Sequence, residues 1–246
     1  MSDIDLAFRR SDVVTRAVCF DVDFTLIYPG PTFRGEGYQM FCARYGMAVD
    51  PSAFEHAVAS AAPFLHGPGD IYDAEVFVKY TAHIIEQMGG TGAQLDACAR
   101  EIYDEWALCH HFELYPEVPE VLRALSERGI RVGLISNSHR CLASFQSHFE
   151  LHGLIGAAMS SPDHGFMKPN PSIFLAALAL LDVEPEEAVM VGDSVAQDVN
   201  GALGIGMRAV LLHRADDPHL QASELEAGGV PVIRTLRELP PLLALS

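Results

Sequence analysis

The stretch AVCFDVDFTL, residues 17–26, decides the fold. Ala17 to Phe20 form a short apolar run rich in strand formers, consistent with a buried parallel strand. The run ends at Asp21. In extended backbone side chains repeat every two residues, so Asp21 and Asp23 lie on the same side of the chain. Two carboxylates so placed repel each other unless a cation sits between them or one keeps its proton. A strand-ending turn, in which an aspartate bonds its own backbone, accounts for the same residues more plainly.

The same junction recurs along the chain. Val132 to Ile135 runs into Ser136-Asn137, and Ala188 to Val191 into Gly192-Asp193-Ser194, with Asp198 five residues after Asp193. Ile155 to Met159 reads as a weaker strand, Arg208 to Leu212 as another and Val230 to Ile233 as a sixth. Helices fall between them. Val118, Val121, Leu122 and Leu125 share one helix face that Gly129 ends. A helix is expected over about 139–149. Asn170 and Pro171 suit the cap and first position of a helix reaching Leu181. Val195 to Leu203 reads as helical, and Thr235 could cap a last helix broken at Pro240-Pro241. Strands alternating with helices imply an α/β fold, a doubly wound parallel sheet of Rossmann-like form. In such a sheet the carboxyl ends of the strands line one crevice. Residues 21 and 193 could meet there around one metal ion and one phosphoryl group.

The character changes from Tyr28. Pro29-Gly30-Pro31 breaks the chain, and helical stretches follow over about 35–46, 52–65, 73–88 and 93–109, with Gly89-Gly90 stopping the third. No convincing strand lies between 30 and 112. An α-helical domain of about four helices, residues 28–113, is therefore expected as an insertion. It divides a discontinuous sheet domain of residues 1–27 plus 114–246. Residues 1–14 read as a poorly anchored leader.

Composition narrows the function. The 246 residues are 49% hydrophobic, with mean hydropathy +0.16, enough for one substantial core and a small second domain. Net charge is −17 and the sequence pI about 4.9, which repels nucleic acid and anionic membranes. No stretch of about 18 apolar residues suggests a membrane helix, and the first residues lack the form of a signal peptide. Five cysteines without CxxC spacing point to a reducing compartment, hence a cytoplasmic protein. Cys109, His110 and His111 adjoin but lack further ligands at metal spacing, and read as a polar stretch near a helix end.

The junction residues carry the chemistry. Ser136 and Asn137, between strand and helix, offer hydroxyl, amide and backbone N–H groups to an anion; both are also ordinary N-caps. Asp193 and Asp198 stand near a helix start, where an acid is stabilising in any protein. Lys168 is one of only two lysines, placed just before a helix whose positive end its charge would reinforce. Four matches in one order, each at a strand-to-helix junction, outweigh the separate plain readings.

Taken together, FDVDFTL (20–26), LISNSH (134–139), KPNPSIF (168–174) and VGDSVAQDVNGA (191–202) resemble the motifs of the haloacid dehalogenase-like hydrolases. The resemblance covers nearly the whole chain and is to the helical-cap members, such as phosphoglycolate-phosphatase-like enzymes. It implies a Mg²⁺-dependent phosphatase acting on a small phosphorylated metabolite. Asp21 would be the nucleophile that forms an aspartyl-phosphate, and Asp23 the general acid and then base. Mg²⁺ would be held by the Asp21 carboxylate, the Asp23 carbonyl and Asp193. Ser136, with Asn137 nearby, would hold phosphoryl oxygens, Lys168 would neutralise nucleophile and phosphate, and Asp198 would orient Lys168 or a metal water. The inserted domain would be a cap that closes over the crevice and selects substrate. Phe24, Tyr28, Phe33, Arg34 and Tyr38 are expected at its entrance, with Arg34 a candidate for a substrate anion.

Charge counting agrees with a cation. Four aspartates give four negative charges, and Lys168 with one divalent ion returns three. Protonation of Asp23 would relieve the excess, and the set would titrate together. One position departs from the family pattern. Gly often follows the second aspartate, and here it is Phe24, a residue that rarely takes positive φ. Either the turn differs, or Phe24 takes ordinary angles and lines the mouth of the site. Two other readings stay open: a 2-haloacid dehalogenase, which usually lacks the second acid, and a catalytically degenerate binding module. A mutase, in which the phospho-aspartate passes its phosphate to a sugar, is a variant of the phosphatase reading. No nucleic-acid or membrane partner is expected, and the protein would be a monomer or homodimer.

Overall fold

The computed structural model describes residues 13–66, 69–214 and 228–243. Most of the expected leader, residues 1–12, lies outside the described residues. The chain forms β1 (Ala17–Phe20), leaves through β2 (Ile27–Pro29) and returns through β3 (Phe112–Leu114). It then builds β4 (Arg131–Ser136), β5 (Ala157–Ser160), β6 (Ala188–Gly192), β7 (Arg208–Leu212) and β8 (Val232–Ile233). It divides into two compact units, one joining residues up to Ile27 with those from Leu114 onward, the other Tyr28–Glu113.

In the first unit six strands pair in the order β5-β4-β1-β6-β7-β8, every pair parallel. The order runs one way from β1 to β4 and β5, then the other way from β6 to β8. β1 and β6 are neighbours at this reversal, where the crevice of an open α/β sheet opens. Phe20 is level with Leu134 and Val191, so Asp21, Ser136 and Asp193 leave the sheet at nearly one height.

Alternation sets the faces. Ala17 and Cys19, Ala188 and Met190, Ala209 and Leu211 point into one core cluster with Ile173, Phe174, Ala177, Leu178 and Leu181. The central strands β1 and β6 are buried on both faces, as parallel strands under helices must be. At Gly133 a Cβ would stand 3.0 Å from both Cys19 Sγ and Leu181 Cδ1, so the missing side chain lets helix Pro171–Leu181 lie close on the sheet. Asn170 caps that helix by accepting from the Ser172 N–H at 2.9 Å.

Several boundaries differ from the sequence reading. The helix expected from 139 begins at Leu142, because Arg140 is drawn toward Asp23. Pro240 and Pro241 do not break the last helix. They occupy its first turn, Leu239–Leu242, where no N–H is needed. Thr235 caps the preceding turn in a capping box with Glu238.

The second unit packs helices Gly35–Arg44, Phe54–Ala61, Ala74–Gln87 and Leu95–Trp106, with Val78, Ile84, Ile85, Cys98, Ala99 and Ile102 buried. One strand pairing was not expected: β2 and β3 form a two-stranded ribbon where the chain enters and leaves. The Tyr28 hydroxyl reaches Glu113 Oε2 at 2.6 Å, and the Gly30 N–H donates to the His111 carbonyl at 2.8 Å. Phe33 and Tyr38, expected at an entrance, are instead core residues. Phe33 packs on Trp106 and Phe112, and Tyr38 on Phe54. Arg34 is exposed at the start of its helix. No helix among the described residues is long and apolar enough to cross a membrane.

Candidate active site

Lys168 is at the centre of the carboxyl-end cluster. Its Nζ donates to Asp21 Oδ1 at 2.6 Å and to Asp198 Oδ1 at 2.7 Å, and the residue is only 3% exposed. Burial works against its charge, but the Asp198 and Asp21 carboxylates outweigh that cost and raise its pKa. Lys168 is held in place through its backbone. The Asn137 amide donates to the Lys168 carbonyl at 3.0 Å and accepts from the Lys168 N–H at 2.8 Å. Asn137 thus spends its amide on positioning the lysine. Ser136, 1% exposed, accepts from the Ser138 N–H at 3.1 Å.

Asp198 arrives through an unusual turn. Residues Val195–Val199 form a π-helix before Asn200–Leu203 continues as α, and the Val199 N–H reaches back to the Ser194 carbonyl. Such bulges occur often at functional sites. The Ser194 N–H donates to Asp198 Oδ2 at 3.0 Å, so both oxygens of Asp198 are engaged. Any Cβ at Gly192 would overlap this carboxylate, so the glycine at the end of β6 opens the space for it. Burial comes first in pushing Asp198 up to about 6, against the pull of Lys168.

Asp21, Asp193 and Asp198 each offer an oxygen, all within 4.8 Å of one another. Asp193 reaches solvent at its outer side. Lost hydration on the inner side, then the Asp21 and Asp198 charges, push it up to about 8. Lys168 alone leaves this set short of positive charge. An all-oxygen donor set with excess negative charge fits a hard divalent cation such as Mg²⁺.

The sequence reading missed Arg140. Its side chain is fully buried, and Nη1 donates to Asp23 Oδ1 at 2.8 Å. Burial raises the pKa of Asp23, Arg140 lowers it, and Asp21 raises it again, with a net rise. Asp23 therefore favours its proton more than an ordinary aspartate. The only sign in the sequence is an arginine four residues past a strand, too weak to single out. Gln197 was also missed; it receives the Asn137 amide at 3.3 Å.

Phe24 settles the question of the turn. Its φ is +63°, the left-handed conformation usually left to glycine. The Phe24 N–H donates to the Ile27 carbonyl at 2.7 Å, and Leu26 and Ile27 return to the Val22 carbonyl. The tight turn forms with a bulky residue in the glycine position, and the ring is 45% exposed.

Comparison with known proteins gives a consistent family. Residues 15–206 match the model of the haloacid dehalogenase-like hydrolases. Haloacid dehalogenase-like hydrolase domain-containing protein 3 of Xenopus laevis is 31% identical over 127 residues, 52% of each chain. Its Danio rerio counterpart is 26% identical over 239 residues, 94% of this chain and 97% of its own. A phosphoserine phosphatase of Thermus thermophilus is 33% identical over 141 residues, 54% of this chain and 53% of its own. The matches to the Xenopus and Thermus proteins thus span about half of their lengths. The crystal structure of a HAD phosphatase from Thermococcus onnurineus superposes with a TM-score of 0.63 at 24% identity. That match covers 93% of this chain and 98% of the other, a likeness of fold.

Proposed function

The chain belongs to the haloacid dehalogenase-like hydrolases, and on that premise we propose that it is a Mg²⁺-dependent phosphatase for a small phosphate ester. The observation that carries this reading is the Lys168 ammonium clamped between Asp21 and Asp198 beside Asp193. A carboxylate nucleophile repels an anionic substrate, so the site needs Lys168 and a divalent cation together to neutralise nucleophile and phosphate. Phosphatases among the relatives support the choice of ester.

In this reading Asp21 attacks phosphorus through the oxygen not held by Lys168. The P–O bond to the leaving group breaks, and an aspartyl-phosphate forms. Asp23 gives its proton to the leaving oxygen, then takes one from the water that cleaves the acyl-phosphate. The raised pKa of Asp23 suits the first of these steps, and Arg140 keeps the carboxyl aimed. The Ser136 hydroxyl, accepting from Ser138, has its O–H to donate to a phosphoryl oxygen. Asn137 keeps Lys168 in register rather than binding phosphate itself. Asp21, the Asp23 carbonyl and Asp193 would hold the Mg²⁺, which supplies charge neutralisation for phosphate and nucleophile. Residues 28–113 act as the cap that selects substrate. Asp23 also separates this reading from dehalogenation, where an ester on Asp21 needs no second acid.

The test is hydrolysis of a chromogenic phosphate ester by the purified chain. Activity is expected with Mg²⁺, and it is expected to vanish with chelator or in Asp21→Asn. Hydrolysis indifferent to chelation, or intact in Asp21→Asn, would reject the mechanism.

A further inference from the structure

We propose that the second unit carries a metal site of its own, for Zn²⁺, built from Glu105, His110 and His111. One oxygen of Glu105 and one ring nitrogen from each histidine lie within 4.8 Å of one another. The sequence spacing hid this, because the third ligand is not beside the histidines. Glu105 stands in the last turn of helix Leu95–Trp106, and the chain doubles back through the short turn Cys109–His111. The structure thus supplies the ligand that the pair of histidines lacked as a sequence motif.

The backbone holds the ligands in place. The Leu108 N–H donates to the Glu105 carbonyl at 3.0 Å, and the His111 N–H to the Leu108 carbonyl at 3.2 Å. The His111 carbonyl accepts from Gly30 at 2.8 Å. The two ends of the ligand set are therefore linked through Leu108 and anchored to Gly30, just past the end of β2. The His111 ring meets Phe33 edge-on at 5.4 Å, and Phe33 packs against Trp106. This aromatic backing fixes one side of the site and leaves the other open, since His110 is exposed. The His110 and His111 ring centroids are 4.0 Å apart.

The donor chemistry selects the ion. Zinc bonds imidazole nitrogen and carboxylate oxygen at about 2.0–2.2 Å, so three ligands around it stand about 3.4 Å apart. The set lies within 4.8 Å, with the Glu105–His111 contact shorter than that spacing, so binding would part that pair and draw His110 in. Two imidazoles suit zinc and its neighbours and not Mg²⁺, which prefers oxygen. The chain thus sorts two cations: the hard one at the aspartates and the borderline one here. His111 Nε2 and Glu105 Oε2 are 2.6 Å apart, a contact that shares a proton. Binding exchanges this hydrogen bond for bonds from the ring nitrogen and the carboxylate oxygen to the metal, and a neutral imidazole then carries its N–H on the other ring nitrogen.

Calorimetry of the full chain with Zn²⁺ in excess Mg²⁺ tests this. One equivalent should bind. Co²⁺ gives a second readout, because Trp106 is the only tryptophan in the chain and adjoins Glu105; its fluorescence should be quenched. Changing outer partners of metal ligands already weakens binding by about 10–100-fold. Glu105→Gln and His110→Ala, with unchanged circular dichroism, should each weaken Zn²⁺ binding at least that much. Asp193→Asn should leave it intact. Absence of binding in excess Mg²⁺ overturns the site. Binding that survives both substitutions, or that is lost in Asp193→Asn, overturns it equally.

Discussion

At the scale of the residue, charges that depend on one another dominate. Arg140 and Asp23 form a buried pair, and removing one partner of such a pair costs about 3–5 kcal/mol. Arg140→Met should lower stability by that amount in urea unfolding; a change under about 1 kcal/mol means that Asp23 finds another partner. The aspartates at the strand ends make a second prediction. An unfolded aspartate titrates near 3.9, whereas folded Asp198 is at about 6 and folded Asp193 at about 8. The folded state binds more protons between these values. Metal-free stability should therefore fall as pH rises from about 4 to about 8, then level off. A cation relieves this repulsion where the carboxylates are ionised. Mg²⁺ should raise Tm more at about pH 8 than at about pH 5; equal shifts would argue against Asp193 as its ligand. Lys168 and Asp198 could be singled out in the sequence because Lys168 stands just before the helix Pro171–Leu181 and Asp198 in the first turn after β6, where position alone suggests chemistry. Arg140 could not. Its partner is 117 residues away, and no local pattern marks an arginine for burial. Asn137 could be read as an anion ligand for the same reason, because its bonds to Lys168 exist only once the chain has folded.

Whole elements show where propensity was overruled. Strand β1 and helix Pro171–Leu181 are readable because apolar runs and caps coincide there. The ribbon of β2 and β3 is not: each strand has three residues, and Pro29 ends the first. The turn after β1 accepts Phe24 in the left-handed region, at a backbone cost of about 1–2 kcal/mol. Phe24→Gly removes that cost and loses a half-exposed ring. It should leave Tm unchanged or higher, and a fall of several degrees would show that the ring packs tightly. The junction of β6 and the π-turn allows no such freedom. Gly192→Ala sets a methyl against the Asp198 carboxylate. Overpacking of this kind costs about 1–3 kcal/mol. Because Asp198 also holds Lys168, the proposed phosphatase activity should fall further than stability does, which paired assays of kcat and Tm would separate.

Across the molecule, the two ends of the insertion are tied to each other where it begins and ends. Tyr28 and Glu113 are joined by a 2.6 Å hydrogen bond, and Gly30 and His111 by another. A chain in which residues 30–111 are replaced by a short glycine-rich turn should keep the circular dichroism of an α/β protein and its Mg²⁺-dependent rise in Tm. Loss of all cooperative unfolding would show that the sheet needs the insert to fold. Closing a loop costs entropy that grows only with the logarithm of its length, and the ribbon settles that cost locally, at the neck. The neck therefore works like a socket. Mutation can lengthen, shorten or reshape what is plugged into it while the order of the six strands stays as it was.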